Sequence, residues 1–216
     1  MNSNQKTAKI VGVLFIVGTV AGILSLILTV SLFNEPNYLS KIHENENQLI
    51  VSALLVLVMG FTLAMIPVLL FPILKEHNHA LALGAVIFRG ALEATGYIAI
   101  TICWLLLLTL SQEYTKTSAL DLSHLQALGT LLLKAVDRIS QVSVFVFSIG
   151  ALMIYTVFYQ SKLIPRWLSI WGLVGAILYL SVPLLTMFGY AWEVLYAPLA
   201  LQEMVLAVWL IVKGFE

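Results

Sequence analysis

The chain has 216 residues, 61% of them hydrophobic and 10% charged, with eleven Lys and Arg against eleven Asp and Glu and a mean hydropathy of +1.00. A soluble domain is about 45–50% apolar and about 25% charged, so one compact core of this size cannot hide these side chains from water. The lipid bilayer can. A net charge of zero and a single cysteine exclude a nucleic-acid binder and a disulfide scaffold, and the apolar content excludes a disordered regulator.

A membrane helix needs about 20 mainly apolar residues, and six segments of the chain supply them. They run over 10–33, 49–74, 80–110, 139–159, 167–188 and 194–212. Backbone groups find no partner in lipid, and the segments lack the short alternating pattern of a barrel strand, so each is read as a helix. The expected fold is one all-α membrane domain over 1–216, a polytopic bundle of six transmembrane helices. The first segment is too long for a secretory leader and is read as a retained span. Cys103, in an apolar run, is read as a small buried hydrophobe.

Taken in chain order, the connections carry the polar residues. Asn34-Glu35-Pro36-Asn37 ends the first span, and the polar stretch 41–48 precedes the second. His77 and His79 lie before the third, and as loop residues they are expected to be solvated. Between spans three and four, Asp121 opens a stretch with apolar residues at 125, 128, 131, 132, 135 and 136, one face of a helix. Residues 121–138 are thus either an interfacial helix or a long extension of span four; the second is preferred.

Charge placement orients the bundle. Lys6, Lys9, Lys75, Lys162, Arg166 and Lys213 fall on one side; Lys41 and Lys116, joined by Lys134 and Arg138 if the extension is outside, fall on the other. Positive-inside bias then places both termini in the cytoplasm. Trp104, Trp167, Trp171, Trp192 and Trp209, with several tyrosines, fit an interfacial aromatic belt. Gly18-x-x-x-Gly22 and Gly90-x-x-x-Ala94 have the small-residue spacing that lets helices approach, here within one chain.

Ionisable groups inside the bilayer cost about 2.5–3.5 kcal/mol each, so they mark either a site or a partner. Arg89 and Glu93 lie four residues apart in span three, and Glu203 lies halfway along span six. By the helical rise Glu93 is roughly 20 Å deep and Arg89 roughly 14 Å. These three form a candidate midplane polar site. Its structural reading is an Arg89–Glu93 ion pair that holds register, with Glu203 protonated or hydrogen-bonded; its functional reading has Arg89 bind an anionic group or pair with Glu93, with Glu203 as the titrating carboxylate. Lys134, Asp137 and Arg138 form an outer mouth cluster, either an interfacial cap or a gate. Pro67, Pro72, Pro183 and Pro198 are expected to interrupt helices, either as simple kinks or as sources of free carbonyls lining a cavity.

No catalytic residue, metal set or cofactor motif is assigned: there is no Gly-x-Ser-x-Gly, His-Glu-x-x-His or P-loop, and no His lies in spans four to six. The expected partners are the lipid bilayer and a small solute, ion or lipid ligand.

Several segments carry a resemblance. Ile66-Pro67-Val68-Leu69-Leu70-Phe71-Pro72, Arg89-Gly90-Ala91-Leu92-Glu93, the stretch from Ser161-Lys162-Leu163-Ile164-Pro165-Arg166-Trp167-Leu168-Ser169 to Gly172, and Pro198-Leu199-Ala200-Leu201-Gln202-Glu203 with Trp209 and Lys213-Gly214-Phe215 resemble the bacterial multi-pass family known as domain of unknown function 4386. The likeness runs from about Lys9 to Phe215. It implies the membrane fold and places Arg89, Glu93 and Glu203 in the family's motifs, but it implies no mechanism. The expected function is small-solute or proton-coupled transport in the bacterial cytoplasmic membrane; the alternative is a non-catalytic accessory, stress or immunity component whose charges are structural. A lipid-modifying enzyme ranks last, because no nucleophile accompanies the carboxylates.

Overall fold

The computed structural model describes residues 3–34, 37–116 and 122–216, and among them every regular element is helical. In chain order these are α1 (Ser3–Phe33), α2 (Tyr38–Glu44), α3 (Glu46–Leu74), α4 (His79–Ala85), a π-helical turn (Val86–Leu92), α5 (Glu93–Tyr114), α6 (Leu122–Ser161), α7 (Arg166–Met187), a 3₁₀ turn (Glu193–Tyr196) and α8 (Ala197–Val212). The segment from α4 through the π turn to α5 makes one span, and the 3₁₀ turn with α8 makes another. Six segments are therefore long and apolar enough to cross a membrane.

The helices run further than the apolar runs alone suggest. α6 has 40 residues, about 60 Å at the helical rise, against a hydrocarbon core about 30 Å thick. Its first half is a long extension of the fourth span rather than a separate interfacial helix; Asp121 lies outside the described residues, as do Glu35 and Pro36. The polar stretch before span two conceals α2, whose Leu39 and Ile42 are buried: two apolar residues three apart suffice to dock one short helix. The Asn78 side chain accepts from the Leu81 N–H at 3.1 Å and so caps α4.

Each span packs against the next along the chain, and α1 closes the ring on α8. Gly18 and Gly22 lie against Leu63 and Met59 of α3 and Gly90 against Pro67, so these small residues serve packing within the chain. Both ends of the chain meet on one face of the bundle. Gly214 lies beside Gln5, and the Glu216 N–H donates to the Leu163 carbonyl at 3.0 Å in the α6–α7 turn. This is the terminal face, and the opposite one is the far face.

Two apolar cores divide the bundle. One, toward the terminal face, includes Phe15, Ile66, Tyr155, Leu168 and Leu206. The other, toward the far face, gathers Leu32, Leu49, Val56, Trp104 and Leu107 and receives nothing from α7 or α8. Trp104, expected in an interfacial belt, is buried there against Phe33 at 5.8 Å between ring centroids. Cys103, expected to be buried, is only partly so. The midplane charges sit at the junction of the two cores.

Three of the four expected helix interruptions lie inside helices: Pro67 and Pro72 in α3 and Pro183 in α7. Each deprives the carbonyl four residues earlier of its helical donor. Pro198 is corrected. It falls in the first turn of α8, where its missing N–H costs no intrahelical bond.

Candidate functional site

Arg89 is delivered by the π turn, and a glycine on the neighbouring helix makes room for it. A Cβ on Gly150 of α6 would stand 2.7 Å from the Arg89 Cβ and 2.9 Å from its backbone N, so α6 meets the π turn almost backbone to backbone. The Arg89 side chain is 1% exposed. Its guanidinium carbon lies 4.5 Å from the centre of the Phe147 ring and 5.3 Å from that of Phe15. Stacked aromatic faces attract the cation in the absence of water.

The ion pair is with Glu203. Arg89 Nη2 stands 2.7 Å from Glu203 Oε1. This corrects the expected Arg89–Glu93 pair. Between those two residues the helix is π-bonded, with the Glu93 N–H reaching the Phe88 carbonyl five residues back. From this turn Arg89 reaches across to α8 instead.

Glu93 turns to another partner. Its Oε1 accepts from the Tyr97 hydroxyl at 3.0 Å, one α-helical turn along α5. Its Oε2 is buried with no hydrogen-bond partner among the described residues, and the residue is 1% exposed. Arg89 and Glu203 balance one another, so Glu93 carries the excess carboxylate of the site.

Both carboxylates border one cavity of about 340 Å³, to which all six spans contribute. Its polar wall is Glu93, Tyr97, Ser140, Ser143, Tyr179 and Glu203; Phe147, Met59 and Leu63 belong to its apolar wall. A second cavity, of about 500 Å³, extends toward the far face past Ser25, Thr29 and Trp104 to Asn34 and Asp137. The two share Gly22, Leu26, Met59, Tyr97, Ile100 and Ser140, so they adjoin one another, and Glu93 borders the first. Toward the terminal face the way is closed. There the buried Tyr155 hydroxyl donates to Gln202 Oε1 at 2.7 Å, and Gln202 Nε2 donates to the Leu168 carbonyl at 3.1 Å.

The outer mouth cluster separates. Lys134, Asp137 and Arg138 are all exposed on the α6 extension. Asp137 borders the upper cavity, whereas Arg138 Nη1 donates to Gln141 Oε1 at 2.9 Å. The Ser161–Gly172 stretch is a tight turn on the terminal face. Lys162 takes a positive φ of 58°, and the Leu163 N–H donates to Ser161 Oγ at 3.3 Å. This turn lies away from the cavities.

Sequence reasoning missed Phe15, Phe147, Tyr97, Tyr179 and the Tyr155–Gln202 bond. Tyr97 could have been found, since it stands four residues beyond Glu93. The others come from α1, α6, α7 and α8, and no local pattern joins them.

The family model that matches the chain covers residues 10–214 and is described as Domain of unknown function (DUF4386). No curated protein and no solved structure matches.

Proposed function

We propose, on the premise that the chain belongs to that family, that this multi-pass membrane protein moves a small solute, coupled to protons, between the far face and a site at the midplane. The observation that carries this reading is a pair of adjoining cavities, one of them bordered by a buried carboxylate with an unpartnered oxygen. An ionisable group in the bilayer is costly unless it is paired or reached by water, and Glu93, which has no ion-pair partner, borders a cavity. The Tyr155–Gln202–Leu168 bonds act as the closed gate of an outward-open state. Alternating access requires that they open while the upper cavity closes. In this reading the protein sits in the bacterial cytoplasmic membrane with its terminal face inward, since Lys6, Lys9, Lys75, Lys162, Arg166 and Lys213 lie toward that face.

A structural role suits part of the site. The Arg89–Glu203 pair, stacked between two phenylalanines at the junction of the cores, would fix α8 to the π turn in a non-transporting membrane component as well. Glu93 has no such role, because its free oxygen faces a cavity.

The test uses protons alone as the probe. Protein reconstituted on a solid-supported membrane should give a transient current on a pH jump. Glu93→Gln, which breaks no ion pair, should reduce it at least tenfold while the unfolding temperature stays within a few degrees. Folded wild type with no current, or a Glu93→Gln current equal to wild type, would overturn the proposal.

A further inference from the structure

Three features of the midplane cavity bear on what it holds. The first is charge: with Arg89 and Glu203 paired at 2.7 Å, one carboxylate remains, and its Oε2 has no partner. A buried charge of this kind is neutralised by a proton or by a cation. The second is size. A cavity of about 340 Å³ greatly exceeds the roughly 30 Å³ of a water molecule and falls in the range of small-molecule sites. The third is the wall. Phe147 and Tyr179 stand 5.0 Å apart between ring centroids, and Tyr97 joins them at the same cavity. Among the described residues no three His, Cys, Asp or Glu side chains converge as a metal site, and calcium or magnesium wants six or more oxygens about it. Aromatic faces beside one carboxylate suit a monovalent cation with an apolar body.

Resting on the transport reading above, we infer that the solute is a small lipophilic organic cation, a protonated or quaternary amine, bound in exchange for the proton of Glu93. The step is a displacement: the carboxylic acid of Glu93 releases one proton into the cavity, and the resulting carboxylate pairs with the ammonium, so charge is conserved. The apolar body lies on Tyr179, Phe147 and Tyr97. Asp137 borders the far end of the second cavity, whereas Lys134 and Arg138 do not line it, and the guanidinium of Arg138 is turned to Gln141. Arg89 does not compete for an anion, because Glu203 and the two phenylalanine rings occupy it.

The probes are benzyltrimethylammonium and, as the anionic comparison, benzenesulfonate, titrated calorimetrically into purified full-length protein in detergent. Benzyltrimethylammonium should bind, weaken about tenfold per pH unit as the proton competes, and release close to one proton per cation in weak buffer. Glu93→Gln should abolish both binding and release, and Glu93→Asp should retain them in part. Tyr179→Ala, which leaves the charges intact, should weaken binding several-fold and leave proton release per bound cation unchanged. Sulfonate binding that survives Glu93→Gln would overturn the inference, as would cation binding without proton release. A pH-jump current in wild type without any cation binding would also overturn it while leaving the transport reading in place. Loss of the current as well would remove both.

Discussion

At the scale of single residues, the energetics of the site turn on Arg89. Its guanidinium is enclosed by Phe15, Phe147 and Glu203, so removing either charged partner leaves an uncompensated ion out of water. Such losses cost about 3–5 kcal/mol, whereas replacing a whole buried pair with apolar residues is often neutral or stabilising. Arg89→Leu should therefore lower the thermal unfolding temperature in detergent far more than the Arg89→Leu, Glu203→Leu double variant does. A double variant no more stable than the single would show that the pair is not coupled. Glu93→Gln, by contrast, removes no ion pair and should leave stability nearly unchanged. Two chemically alike carboxylates thus answer differently, one through folding and one through function. Sequence singled out both, because an ionisable residue in an apolar run is conspicuous. It misjudged which one Arg89 meets.

The element that decides that pairing is the π turn at Val86–Leu92. A π turn carries one residue more than the α-helix would need, and such turns recur at functional sites. No composition or spacing signal in this stretch announces it, since its residues are ordinary for a membrane helix and only the packing against Pro67 and Gly150 shows where the ladder shifts. Leu92, like Ile87, is about half exposed. Deleting Leu92 should restore α-helical bonding and leave Arg89 and Glu93 three residues apart on one helix face, where they can pair with each other. The expected outcome is unchanged helical content by circular dichroism together with loss of the pH-jump current. A current equal to wild type would show that Glu93 does not need this placement. The extension of α6 is the converse case. Its helical periodicity was readable from 125 onward, but that it continues unbroken into the span depends on the contacts of Gly129 with Tyr38 and Leu110, which hold it over the far ends of α2 and α5.

For the whole molecule, the ring of six spans sets what can be reached from where. The far core draws on neither α7 nor α8, and this leaves the open half of the bundle; the terminal core draws on all six spans and closes the other half. Both ends of the chain lie on the closed face. In the orientation proposed above, with that face cytoplasmic by positive-inside bias, a C-terminal green fluorescent protein fusion should fluoresce and a C-terminal alkaline phosphatase fusion should be inactive. The reverse pattern would invert the bundle and make the far face cytoplasmic.

What the amino-acid sequence determined by itself was the solvent, the six spans and the few charges that lipid does not welcome. Hydrophobicity is a local property, additive along the chain, and any window of about 20 residues reports it. Which carboxylate pairs with Arg89 and which keeps an unpartnered oxygen beside the cavity were decided only in the tertiary structure. Those outcomes depend on distances between α8, the π turn and α6. Small differences in helix register set such distances, and no segment of the chain encodes them alone.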